Sequence, residues 1–159
     1  MGVVERHNVH LTGPASGQPI VFAHGFGCDQ NMWRYVAPRF EDRFRVVLFD
    51  HVGAGNSDLA AYDAERHSSL GGYAKDVLEL CRELELRDVI FVGHSVSAMI
   101  GVLAANEERR ASRPSCSWAR RRAISTTETT LAASASPTST SCSARSTATI
   151  SVGRALSRR

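Results

Sequence analysis

Between Asp88 and Ile100 the chain reads Asp-Val-Ile-Phe-Val-Gly-His-Ser-Val-Ser-Ala-Met-Ile. A short apolar strand, a turn with a serine at its apex and the start of a helix make this a nucleophile elbow centred on Ser95. Gly93 and Ser97, small residues on either side, let the chain turn sharply. The turn exposes the Ser95 hydroxyl and aims a helix N-terminus at developing negative charge. Ser97 stands where a second glycine is usual, a tolerable change in size.

The residues before the elbow alternate between strand and helix patterns. Pro19 to Ala23 and Arg45 to Phe49 are apolar runs entering glycine turns, as buried parallel strands do. Asn31 to Phe40 reads as a short helix. Leu70 to Leu86 carries Tyr73, Val77, Leu80, Cys81 and Leu84 at helical spacing, with Lys75, Glu79, Glu83 and Glu85 on other faces. Val89 to Val92 is the next strand and Val96 to Asn106 the helix after the elbow. This order predicts an α/β fold with a doubly wound, mostly parallel sheet.

The chain changes character at Glu108. Residues 1–108 hold 9 basic and 15 acidic side chains, whereas residues 109–159 hold 10 basic and 1 acidic, so the overall charge of +3 describes neither part. The second part is dominated by Ser, Thr, Ala and Arg and has neither a strand nor a helix period. It is expected to be a disordered, low-complexity tail, because it cannot bury enough apolar surface to offset ordering. The first part is short for an α/β architecture, which commonly runs to about 200 residues or more as one unit. No run reaches the roughly 18 apolar residues of a membrane span, and no signal pattern opens the chain. Arg6 stands where a myristoylation site needs Ser or Thr. Cys28, Cys81, Cys116 and Cys142 form no Cys-x-x-Cys pair and no metal spacing, which predicts free thiols in a reducing, cytoplasmic setting and no metal or other cofactor.

Three loops at strand ends carry the candidate chemistry, since a parallel sheet binds ligands beyond the carboxyl ends of its strands. In the first, His24-Gly25-Phe26-Gly27-Cys28, glycine allows a backbone N–H to approach a substrate carbonyl, although an ordinary glycine turn has the same composition. The second, Asp50 to Ser57, holds Gly53 and Gly55 but has Asp58 where a dinucleotide motif wants its third glycine, so it reads as a structural turn. The third is Gly93-His94-Ser95-Val96-Ser97. A His-Gly loop about 70 residues upstream of the serine makes the elbow reading specific.

His24 to Trp33, Phe49 to Ser57 (Phe-Asp-x-x-Gly-x-Gly-x-Ser) and Gly93 to Leu103 together resemble the α/β-hydrolase family. Within it they are most similar to the group of the bacterial stress-response regulator RsbQ and the plant karrikin and strigolactone receptors. The likeness covers about residues 3–107, giving a partial hydrolase domain over 1–107 and the low-complexity tail over 108–159. It implies the N-terminal half of an α/β-hydrolase fold, Ser95 as nucleophile, and the Phe26 and Val96 N–H groups as oxyanion hole. His24, Gly25, Gly27, Gly93, His94 and Ser97 would support the motifs. It also implies a small hydrophobic ester or lactone as ligand, with a regulatory protein as a further partner.

In that family the triad acid and histidine follow the serine, but no histidine occurs after Ser95 in this chain. His24 and His94 occupy motif positions, and His7, His10, His51 and His67 fall in early strands or turns, so none is expected to replace the missing base. Without it a serine hydroxyl is a poor nucleophile at neutral pH. Losing a triad histidine costs on the order of a millionfold in kcat, so the chain as written is expected to be inactive.

Regrouping the tail codons one base later permits a strand-like Leu-Val-Leu-Val-Gly-Pro string from Pro114 onward and a lid-like string from Ala133 to Arg154. A frameshift near codons 107–113 accounts for both. With its usual neighbour unmade, the strand Val89 to Val92 would present an apolar parallel edge and promote aggregation.

Two other classes of function stay open. One is a non-catalytic small-ligand receptor or regulator using the glycine loops and Phe26. The other takes the basic tail as a nucleic-acid or membrane arm. Its arginines are scattered, with Arg120-Arg121-Arg122 the only cluster and no interleaved aromatics, and neither partner is expected.

Overall fold

Strands buried on both faces need apolar side chains at every position, and the centre of this sheet meets that demand. The computed structural model describes residues 2–110 and 118–126. A short helix α1 (Val3–Arg6) leads into β1 (His10–Thr12), followed by β2 (Gln18–Ala23), β3 (Phe44–Phe49), helix α2 (Leu70–Glu83), β4 (Val89–His94), helix α3 (Val96–Arg110) and β5 (Trp118–Thr126). The sheet order is β1-β3-β2-β4-β5. β1 pairs antiparallel with β3, and the other pairings are parallel. The mixed, mostly parallel sheet and its crossovers are the N-terminal half of an α/β-hydrolase fold.

Alternate side chains of β2, β3 and β4 feed two cores. Val21, Ala23, Val47, Phe49, Val89 and Phe91 pack under α2 and α3 against Ala74, Val77, Leu80, Ile100 and Ala104. On the opposite face Ile20, Phe22, Val46, Ile90 and Val92 meet Trp33 and Ala37, with Phe40 and Phe44 at the margin. The segment supplying that second cover is not the helix expected over 31–40. It forms two 3-10 turns, Gln30–Trp33 and Ala37–Arg39. Asp29 caps the first by accepting the Asn31 N–H. Pro38, which lacks a backbone N–H, opens the second and so breaks any continuous ladder between them.

Helix α2 ends near the expected limit because Glu85 adopts φ +52°, outside helical geometry. Helix α3 runs on to Arg110, so the change of composition at Glu108 falls within its last turn.

Two expectations about the far side of β4 need correction. Its edge is not open, because β5 lies against it in parallel. Trp118–Thr126 is therefore extended although its sequence has no strand period. An unpaired parallel edge offers N–H and C=O groups to any extended segment, whatever its side-chain pattern, and that backbone demand prevails here. The misfit shows in the register, where Val89 faces Trp118 but Phe91 faces Ala123, with an irregularity between. The rest of the expected tail lies outside the described residues, as do Cys116 and Cys142. Cys28 is a free thiol, and Cys81 is buried. No helix among the described residues is long and apolar enough to cross a membrane.

Candidate functional site

The elbow has the geometry that its sequence predicts. Ser95 has φ +54°, a left-handed conformation that costs a non-glycine residue on the order of 1–2 kcal/mol and marks a site where the surroundings over-determine the backbone. The strain exposes Ser95 at the junction of β4 and α3. Gly93 is required here. A Cβ on it would lie 2.6 Å from the Ser97 carbonyl carbon and oxygen and 2.7 Å from the Ala98 nitrogen, which are backbone atoms that cannot give way.

The first loop closes over the elbow from the end of β2. A Cβ on Gly25 would come 2.5 Å from His94 Nδ1 and 3.3 Å from Ser95 Cβ, so the loop backbone lies directly against the serine turn. Gly27 has φ +72° and open space around it, and the loop then closes through the Cys28 N–H donating to the Gly25 carbonyl. The Phe26 ring is 94% exposed. Among the described residues neither the Phe26 nor the Val96 N–H has a protein acceptor. Val96 opens α3, where an N–H has no intrahelical partner.

A cleft of about 890 Å³ opens beside these loops, with Phe26, Arg34, His51, His67, Tyr73 and Val96 among its walls. A row of rings crosses its floor. His24 and His51 meet at 4.8 Å between centroids, His51 and Tyr73 at 5.7 Å, and Tyr73 and His67 at 5.0 Å. Burial raises the Tyr73 phenol pKa above its usual range.

The second loop is a structural turn, built around a carboxylate. Asp50, at the end of β3, accepts the Gln30 N–H at 2.8 Å, the Gln30 Nε2–H at 3.1 Å, the Asn8 Nδ2–H at 2.9 Å and the Asn56 N–H at 3.0 Å. Burial pushes its pKa up, but these donors prevail and hold it below the ordinary aspartate value. Gly55 is glycine because a Cβ there would sit 2.5 Å from the Asp50 carboxyl carbon. Asp50 thus ties together three loops, a role that sequence reasoning missed. Only its place in the Phe-Asp-x-x-Gly string hinted at it.

The histidines other than His94 make structural hydrogen bonds. The His24 Nε2 accepts the His51 backbone N–H at 3.0 Å, which leaves its Nδ1–H to donate to the Gly25 carbonyl at 2.9 Å. Its 3.9 Å approach to Asp50 is therefore a contact of a bare nitrogen and not a salt bridge. The Ser97 hydroxyl donates to the His24 carbonyl at 2.5 Å, so the His51 Nε2–H donates to Ser97 Oγ at 2.7 Å. Burial, reinforced by His24 and His7, pushes His51 down to about 3, so it stays neutral.

His67 Nε2 meets Asp76 at 2.9 Å and its Nδ1 lies against the Asp63 backbone. His7 donates from Nδ1 to the Asp50 carbonyl, and burial is the main cause of its lowered pKa. His10 bonds Gln30. The His94 Nδ1 is enclosed with no hydrogen-bond partner. Among the described residues no histidine nitrogen is hydrogen-bonded to the Ser95 hydroxyl.

Asp76 is a second residue that sequence reading missed. It is buried within α2, and with Glu79 it anchors Arg66 while Glu79 also pairs with Arg6. A carboxylate one residue before the core-facing Val77 was the available signal.

A strained serine thus stands between β4 and α3, with a glycine loop pressed against it and a largely apolar cleft alongside. The chain matches the alpha/beta hydrolase fold family over residues 18–114 and belongs to it. It is similar to Karrikin insensitive 2 receptor CA of Petunia hybrida, with 48% identity over 66% of this chain and 39% of that relative. Similarity to Strigolactone esterase D14 of Arabidopsis thaliana is 41% over 65% of this chain and 38% of the relative. Among solved structures, a hydrolase from Oleispira antarctica superimposes with a TM-score of 0.64 at 48% identity, over 66% of this chain and 38% of that one. The chain thus spans about two fifths of the length of the relatives it matches.

Proposed function

We propose that this chain is the nucleophile-bearing half of a serine hydrolase for small apolar esters or lactones. Ser95 would attack the carbonyl, the Phe26 and Val96 N–H groups would hold the oxyanion, and water would release the acyl-enzyme. One observation carries the reading: an exposed serine at φ +54° lies against the glycine loop, and Phe26 and Val96, whose N–H groups have no protein acceptor among the described residues, line a cleft. Among the described residues no histidine is hydrogen-bonded to Ser95, so on this reading the acid and base of a triad come from elsewhere. On this reading the chain alone is close to inactive, and residues after about 108 are out of frame. Regulation of a stress-signalling partner in the cytoplasm, as in the RsbQ group, belongs to the same proposal.

The test has two parts. The coding DNA from codon 100 onward is read in all three frames. The repaired gene is then assayed with a small aryl ester. A frame continuing with strand, lid, acid and histidine, and turnover abolished by Ser95→Ala, are the expected results. No such frame, or turnover indifferent to Ser95→Ala, overturns the proposal.

A second reading is favoured by the names of relatives described as receptors. The cleft would hold a small apolar ligand without turnover. Saturable binding of the aryl ester with no product and no effect of Ser95→Ala would select it.

A further inference from the structure

We propose that Ser97, held between the His24 carbonyl and the His51 Nε2–H, is a positioning residue that sets the separation of the Phe26 and Val96 N–H groups. This rests on the oxyanion role given to those two groups above. The two donors belong to different elements, Phe26 to the loop after β2 and Val96 to the first turn of α3. A shift of either element changes the gap between them, and a developing oxyanion rewards only donors placed at hydrogen-bond distance in advance.

The side-chain bond that spans the two elements is the one from Ser97 Oγ to the His24 carbonyl. That carbonyl lies two residues before Phe26, and Ser97 directly follows Val96. The hydroxyl is fully buried, so water does not compete for it. Its remaining acceptor position takes the His51 Nε2–H, while the backbone N–H of the same His51 donates to His24 Nε2. His51 therefore holds both residues that make the bond, His24 through its imidazole and Ser97 through its hydroxyl oxygen. Filling space alone at position 97 would need no hydroxyl, and glycine, the usual residue there, would leave the His24 carbonyl and the His51 Nε2–H both buried and unpartnered.

Three variants of the full chain test this: Ser97→Gly, His51→Leu and His51→Gln. Leucine keeps apolar bulk without the donor, whereas glutamine keeps an N–H donor. One readout is amide hydrogen exchange at His51 and Cys28, with the backbone dynamics of residues 25–27 followed by NMR. The other is the rate at which 4-nitrophenyl acetate acetylates Ser95 on prolonged incubation, followed by mass spectrometry.

Ser97→Gly and His51→Leu should speed the His51 or Cys28 amide at least tenfold, loosen residues 25–27 and slow acetylation about tenfold. His51→Gln should recover most of each. Exchange and loop dynamics within twofold of the parent in both Ser97→Gly and His51→Leu overturn the inference, whatever the acetylation rate. Should Ser97→Gly fail to fold, the contrast between His51→Leu and His51→Gln decides, and equal behaviour of the two overturns it. Absence of acetylation in the parent chain is what the missing triad base predicts, and the exchange and loop-dynamics data then decide by themselves whether Ser97 fixes the loop.

Discussion

The two flanks of β4 are built from the same strand by different rules. Toward β2, Ile20, Val21, Phe22 and Ala23 face Ile90, Phe91, Val92 and Gly93 without a break, and each of these four β2 residues is buried. Toward β5, the pairing slips between Val89 and Phe91, and the partner strand carries Arg120-Arg121-Arg122 in the slipped region. Phe91 stands between Val21 on one side and Ala123 on the other. On the β2 flank, side-chain packing and backbone pairing agree on one register. On the β5 flank the backbone pairing itself is irregular. A site built on the first flank can hold strain, as Ser95 does, because its supports are redundant.

The sharpest way to break this contrast is proline. Val21→Pro removes a donor from the centre of the sheet and disrupts packing against Phe91, and should unfold the chain outright, as a lost near-ultraviolet circular dichroism signal would report. Gly93→Ala is next. The added Cβ meets backbone of α3 at 2.6 Å, and the expected cost is about 3 kcal/mol, read as a lower urea midpoint. A cost below about 1 kcal/mol would show that the elbow can relax and that β4 and α3 are not rigidly joined.

The polar side of the β2 flank should respond to two probes. Asp50→Asn puts an amide where donors from Asn8, Gln30 and Asn56 converge, and should cost about 2–3 kcal/mol in chemical denaturation. The buried imidazole of His51 predicts a pH dependence. Its pKa in the folded chain, about 3, lies below the ordinary 6.5, so between those values the unfolded chain takes up a proton that the folded chain refuses. Stability is full above pH 6.5 and declines as pH falls, by about 1.4 kcal/mol per unit, or roughly 2 kcal/mol at pH 5. His7, lowered in the same direction by burial, adds to the slope, and Asp50 adds a further loss at lower pH. In His51→Leu the slope between pH 6.5 and 5 should shrink to what His7 supplies. An unchanged slope would mean that His51 is solvated.

What could be read from the sequence divides along the same line. β2, β3 and β4 were legible because continuous apolar runs between glycine turns have few other uses, and α2 because its period is sustained. Residues 31–40 misled because apolar spacing alone does not reveal that Pro38 interrupts the ladder. α1 and β1, four and three residues long, are too short to show a period. Ser95 was legible as a local pattern. Asp50 and Ser97 were not, since their partners come from distant segments: Asn8, Gln30 and Asn56 for the one, His24 and His51 for the other. Size was visible at position 97, but the use of its hydroxyl was not. β5 was illegible for a different reason: Trp118–Thr126 has no strand period of its own, and only its pairing with β4 marks it as a strand.

Ala123→Pro is the smallest perturbation and the most direct probe of the second flank. Ala123 faces Phe91 just past the slip, at the outer edge of the sheet, where proline is tolerated best. If β5 is held by backbone pairing alone, the substitution removes at most one edge hydrogen bond, worth about 1 kcal/mol or less, and the urea midpoint moves little. Of the consecutive amides of Phe91 and Val92, which point to opposite neighbours, the one directed at β2 should keep its protection, while the one directed at β5 and those of residues 118–126 exchange faster. A loss comparable with that of Val21→Pro would mean that β5 is part of the cooperative core. The three arginines would then need acidic or polar partners to offset them, and the sheet would have two equivalent flanks after all.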